Sequence, residues 1–152
     1  MLQIPLEECI ILEKSVIVEE CIMRNILVTG GSRGIGLEFT RQYLKKGFQV
    51  FAASRNPERS SQLQELKAES DGRLSIHQLD VSAEDSRHHL FRQLSEEIGK
   101  LDILVNNAGI ASGNEERRYP FGNLDQDDLC RCLLVNSVAQ LMMTQIFFPL
   151  LE

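Results

Sequence analysis

At 152 residues the chain is long enough for one domain with a real core and too short for two. Hydrophobic residues at 43% and charged residues at 25% match a folded globular protein rather than a disordered or membrane chain. The net charge of −6 argues against a general nucleic-acid binder or a protein held on anionic membranes.

The first 23 residues, "MLQIPLEECIILEKSVIVEECIM", have no basic start and are crossed by Glu7, Glu8, Glu13, Glu19 and Glu20. They read as neither a secretory signal nor a membrane span. Met23 stands directly before "RNILVTGG" and offers an alternative start, which makes residues 1–23 an extension of uncertain status. Cys9, Cys21, Cys130 and Cys132 have neither the density nor the Cys-x-x-Cys spacing of a disulfide framework or zinc site. They are read as reduced thiols in a cytoplasmic protein. His77, His88 and His89 have no partners at ligand spacing, and no metal site is expected.

From Arg24 onward the pattern alternates between extended and helical. "NILVT" is a short apolar run that suits a strand buried on both faces. Residues 34–46 place Ile35, Leu37, Phe39 and Leu44 along a helix that Gly47 ends. "FQVFAAS" reads as the second strand. After Asn56-Pro57, residues 57–70 read as a polar helix with Leu63 and Leu66 on its apolar face. "RLSIHQLDV" is the third strand. Ser82, with Glu84 and Asp85 behind it, is expected to cap a helix that runs to about Gly99 and buries Leu90, Phe91, Leu94 and Ile98. "LDILVNN" is the fourth strand. A loop rich in Gly, Asn and charge follows, and then a helical pattern from about Leu124 to Leu151.

This β-α-β-α-β-α-β-α order predicts an α/β fold: a Rossmann-like, doubly wound parallel sheet in strand order 3-2-1-4, truncated after the fourth strand and its following helix. In such a sheet ligands bind beyond the carboxyl ends of the strands, where "VTGGSRGIGLEF" places Gly30, Gly31, Gly34 and Gly36 before a helix. Unpaired N–H groups at that helix start, with the helix dipole, favour an anion, and glycine lets a pyrophosphate approach closely. The spacing is Gly-x-x-x-Gly-x-Gly rather than the general Gly-x-Gly-x-x-Gly fingerprint.

Thr29-Gly30-Gly31-Ser32-Arg33-Gly34-Ile35-Gly36 resembles the cofactor loop of the short-chain dehydrogenase/reductase family, and three further motifs follow in the family's order. Asp80-Val81 resembles the pair that contacts adenine. Asn106-Asn107-Ala108-Gly109 resembles the family's Asn-Asn-Ala-Gly, whose small residues allow close cofactor approach. Asn136, within "LLVNSVAQ", matches the family's active-site asparagine. The resemblance covers residues 24–152 as the dinucleotide-binding half of the domain. The intervening sequence is most similar to the carbonyl-reductase-like branch that includes the bacterial C-factor and insect sniffer proteins. It implies a cofactor site at Gly30, Ser32, Arg33, Gly34, Ile35, Gly36, Asp80, Val81, Asn107, Ala108 and Gly109.

Charge bears on the choice of cofactor. A free ribose 2′-hydroxyl is usually held by an acidic residue at the end of the second strand, but that place reads Ala53-Ser54-Arg55. Arg33 and Arg55 can instead face a 2′-phosphate through forked hydrogen bonds, so NADP(H) is favoured over NAD(H). Ordinary readings stand beside these roles. Asp80 also suits a helix cap, Asn106 a strand-end backbone contact, and Asn136 relief of a backbone irregularity.

The family's chemistry also implies a Tyr-x-x-x-Lys pair and a serine. Tyr43 is followed four residues on by Gly47 and Tyr119 by Asn123, so neither supplies that pair. The expectation is an NADP(H)-dependent oxidoreductase by family, acting on a small carbonyl or alcohol, in a chain that does not turn over alone. The alternative is a non-catalytic nucleotide-binding or interaction module that associates with a full-length relative. No nucleic-acid or membrane partner is expected. Self-association is expected through the exposed fourth strand and a last helix carrying Leu133, Leu134, Val138, Leu141, Met142, Ile146 and Phe147. The loop "IASGNEERRYPFGN" stands where it can form one wall of a substrate pocket.

Overall fold

The apolar run after Arg24 forms β1 (Asn25–Thr29), buried from Ile26 onward. It lies at the centre of a parallel sheet with β2 (Gln49–Ser54), β3 (Leu74–Gln78) and β4 (Ile103–Val105), in the order β3-β2-β1-β4. The register sets Val28 opposite both Ala52 and Val105, so the carboxyl ends of the strands open on one edge of the sheet. The structure is a computed structural model that describes residues 23–111 and 124–151. The N-terminal extension through Ile22 with Cys9 and Cys21, and the loop segment 112–123 with Tyr119, lie outside the described residues.

Alternation along the strands builds two cores. Ile26, Val28, Val50 and Ala52 face Leu37 and Leu44 of α1 (Gly34–Lys45) and Leu63 of α2 (Ser61–Ala68). Leu27, Phe51 and Ala53 point the other way, towards Leu90 and Leu94 of α3 (Glu84–Glu97). Both faces of the central strands are therefore covered, which is why β1 and β2 read as continuous apolar runs rather than alternating ones.

The last helical stretch comprises α4 (Gln126–Leu133), a π turn (Leu134–Val138) and α5 (Ala139–Leu151). Together they run unbroken for 26 residues, long and apolar enough by length and composition to cross a membrane. In this fold Val135, Ala139, Met143, Phe147 and Leu150 pack into the second core, with Phe147 edge-on to Phe91 at 5.6 Å.

Several expectations change at this level. On α1, Leu37 and Leu44 are buried, whereas Ile35 is 72% exposed and Phe39 lies at the surface. One helical face cannot hold all four, and the face nearest the sheet takes Gly36, Leu37, Thr40 and Leu44. The polar helix after Pro57 is split into a 3₁₀ turn (Pro57–Arg59) and α2, because the Ser60 hydroxyl accepts from the N–H of Leu63 and starts the helix afresh. Ser82 does not cap α3. Ala83 holds that position, and Ser82 turns back to Asp80. On the last helix, Leu133, Leu134, Val138 and Leu141 are exposed, whereas Phe147 and not its neighbour Phe148 is buried.

Candidate functional site: a cleft at the carboxyl ends of the strands

The glycine loop leaves β1 with Gly30 at φ +68° and Gly34 at φ +54°, conformations that side-chain-bearing residues adopt only with strain. Gly36 is needed for space. A Cβ there would overlap the Gly30 carbonyl and the Asn107 amide. Arg33 is the extended residue before α1, with no side-chain cap and no acidic residue in the first turn. The first N–H groups of α1 therefore lack both a capping side chain and a local negative charge, which suits a phosphate. From the far side the Ser60 hydroxyl donates to the Ser32 carbonyl at 2.6 Å and ties the loop to the start of α2.

Thr29 organises the junction with β4. Its buried hydroxyl donates to the Val105 carbonyl (3.2 Å) and accepts from the N–H groups of Asn107 and Ala108 (3.0 Å each). The Asn107 amide returns the contact, donating to the carbonyls of Thr29 (3.0 Å) and Gly30 (3.3 Å). Asn106 faces away and donates to the Gln140 carbonyl and the Thr144 hydroxyl. Asn136 lies in the π turn, and its amide both accepts from the Ile110 N–H (2.9 Å) and donates to the Ile110 carbonyl (2.8 Å). It thereby holds the strand-end loop against the helix.

Asp80 follows β3. Its carboxylate accepts from the Ser82 N–H (2.9 Å) and hydroxyl (2.6 Å). Burial pushes its pKa up, but the two Ser82 hydrogen bonds and the charges of Arg55 and Arg131 outweigh that and hold it below the ordinary aspartate value. It is an anion at neutral pH.

These pieces border one cleft of about 810 Å³. Gly30, Ser32, Arg33, Gly34, Ile35, Gly36, Arg55, Asp80, Val81, Asn107, Ala108 and Gly109 all line it. Asn136 does not, although it braces the cleft through Ile110. Arg59, Ser60, Arg131 and Val135 also line the cleft and were not singled out from the sequence. Ser60 carries a readable signal as a cap before a helical pattern, whereas Arg131 carries none, because only the course of α4 brings it to the cleft that Asp80 lines. The lining thus holds Arg33, Arg55, Arg59 and Arg131 against one carboxylate, Asp80. Among the described residues neither Arg33 nor Arg55 has an ion-pair partner. A smaller cavity of about 590 Å³, lined by His77, His89 and Gln93, adjoins the cleft and shares Arg55, Asn56 and Asp80 with it.

A parallel sheet in this order, with a glycine turn at a helix start and a basic cleft over the strand ends, defines a Rossmann-like α/β protein of the dinucleotide-binding type. Residues 24–152 match the short chain dehydrogenase family, and the chain belongs to that family. It is 36% identical over 146 residues to a (+)-neomenthol dehydrogenase of Arabidopsis thaliana, covering 85% of this chain and 49% of that protein. It is also 36% identical over 124 residues to an NADP-dependent 3-hydroxy acid dehydrogenase of Escherichia coli, covering 82% and 47% respectively. Among solved structures, an NADPH-bound carbonyl reductase from chicken fatty liver superposes with a TM-score of 0.73 at 32% identity, covering 84% of this chain and 51% of that one. A carbonyl reductase of Pseudomonas aeruginosa in complex with NADP gives 0.75 at 30% identity, covering 84% and 56%. The chain therefore spans about half the length of these relatives.

Proposed function

We propose that the cleft binds NADP(H), and that these residues form the cofactor half of an oxidoreductase acting on a small carbonyl or alcohol. The observation that carries this reading is the pairing of an uncapped helix start after Gly34 with two arginines, Arg33 and Arg55, that have no ion-pair partner among the described residues. The α1 N-terminus would take the pyrophosphate, the two arginines the 2′-phosphate, and the anionic Asp80 with Val81 the adenine edge. The cofactor supplies or accepts the hydride when bound. The chain's own contribution is to orient it, neutralise its phosphates and hold the cleft floor through Thr29, Asn107 and Asn136. The relatives whose names specify a phosphorylated cofactor support the choice of NADP(H).

No turnover is proposed for the 152 residues alone, because neither tyrosine precedes a lysine at the spacing that would lower its pKa. The amide of Asn136 is engaged with Ile110, so its part here is to position the loop. A second reading, an interaction module that self-associates or joins a full-length relative, is favoured by exposed Leu133, Leu134, Val138 and Leu141 and by β4, whose outer edge is unpaired among the described residues. Free thiols at Cys130 and Cys132 accord with a cytoplasmic setting.

Calorimetric titration of the chain with NADPH and NADH tests the cofactor reading. NADPH is expected to bind at least about tenfold more tightly, as one or two charge-assisted contacts require, with the gap closing in Arg33→Glu and Arg55→Glu. Equal affinity for the two cofactors would overturn the assignment. NADPH oxidation with a reactive carbonyl that disappears in Gly34→Asp would overturn the absence of turnover.

A further inference from the structure

Gln140, the second residue of α5, does not line the cleft, yet its side chain joins two pieces of backbone that do. Its Nε2 donates to the carbonyl oxygens of Ala108, in the loop after β4, and of Val135, in the π turn. Its Oε1 is buried and has no partner among the described residues. The orientation of the amide follows from chemistry. With the amide reversed, an oxygen would face two carbonyl oxygens and every contact would be repulsive. The fold therefore leaves a buried acceptor without a partner, a real cost, while both carbonyls are held. The Ala108 residue is consequently held from two sides, its N–H by the Thr29 hydroxyl of β1 and its carbonyl by Gln140.

We propose that Gln140 is a positioning residue for the cofactor, setting the height of the Ala108–Ile110 floor beneath the half of the dinucleotide remote from adenine. The inference rests on the cleft being the NADP(H) site. The strand order carries the rest: Arg55 and Asp80 follow β2 and β3 at one end of the sheet, and Ala108–Ile110 follow β4 at the other. A dinucleotide with its adenosine phosphate at the first end places its other half over the second. Asn136 holds the same floor one step further on, at Ile110. A purely local role for Gln140 in the helix would not need its reach to Ala108.

Titration of Gln140→Met, which keeps volume and removes the donor, with NADPH and with 2′,5′-ADP tests the role. NADPH affinity should fall about tenfold while 2′,5′-ADP affinity stays within twofold of wild type. Gln140→Glu adds a pH signature, read as the ratio of NADPH to 2′,5′-ADP affinity so that a change in fold stability, which weakens both ligands, cancels. The ionised carboxylate of this variant cannot donate, so the ratio relative to wild type should recover as pH falls from 8 to 6 and the buried acid protonates, with no such trend in Gln140→Met. NADPH binding unchanged in Gln140→Met, or NADPH and 2′,5′-ADP weakened alike, would overturn the role of Gln140. Should Gln140→Met fail to fold, the pH series of Gln140→Glu decides, and a flat profile counts against the proposal. A wild-type chain that fails to bind NADPH defeats the cofactor reading itself, whereas the variant outcomes bear only on Gln140.

Discussion

Thr29→Val keeps the shape of a fully buried side chain and removes one hydroxyl, so its cost reports directly on the junction beneath the cleft. The hydroxyl accepts from Asn107 and Ala108 and donates to Val105. These three contacts are not equal. The Asn107 N–H has a second acceptor in the Val105 carbonyl at 3.0 Å, and that same contact keeps Val105 satisfied. The Ala108 N–H is left with no other partner among the described residues. The orphaned donor and the weakened Asn107 contact together cost about 2–3 kcal/mol. For a domain of this size that is a fall in Tm of roughly 6–10 °C. Thr29→Ser, which retains the hydroxyl and loses one buried methyl, should cost only about 1 kcal/mol. Urea denaturation of the three proteins measures the difference. If Thr29→Val were no less stable than Thr29→Ser, the hydroxyl would not be the element that holds the two strand ends together.

Other substitutions test neighbouring parts of the argument. Gly36→Ala drives a methyl into the Gly30 carbonyl and the Asn107 amide, so the loop must shift; a loss of about 3 kcal/mol and of NADPH binding is expected by denaturation and titration. His77 has its pKa lowered chiefly by burial, so its neutral form is preferred in the fold. Its contribution to stability is therefore complete above the unfolded value near 6.5 and diminishes as pH falls through the lower folded value; this slope in urea midpoints between about pH 7 and 5 should flatten in His77→Gln. Leu133 and Leu141 are 63% and 64% exposed, so lysine at both should leave the circular dichroism spectrum unchanged and shift the sedimentation profile towards monomer. An unchanged profile would remove the apolar face as the basis of self-association.

Strand order, the two-sided burial of β1 and the placement of the glycine loop were legible because each rests on local pattern and short, right-handed connections. The motif residues of the glycine loop, Asp80-Val81 and Asn107–Gly109 fall along one cleft for the same reason, since each group follows a strand whose carboxyl end lies on the same edge, whereas Asn136 comes from the last helix and only braces it. Helix faces were less legible. Ile35 and Phe39 are as apolar as Leu37, and only the position of the sheet decides which of them is buried. Ser82 had the chemistry of a cap, but the Asp80 carboxylate engaged it first.

Taken alone, the sequence determined the class of fold, the phosphate-seeking turn and the absence of a carboxylate at the end of β2, because these depend on residue type and spacing along the chain. The tertiary structure decided which charges meet. Arg131 shares a cleft with Asp80 only through the course of α4, and Gln140 reaches Ala108 only because the π turn and the loop after β4 lie side by side. Such contacts, between positions more than thirty residues apart, depend on how elements pack and leave no period or motif in the chain.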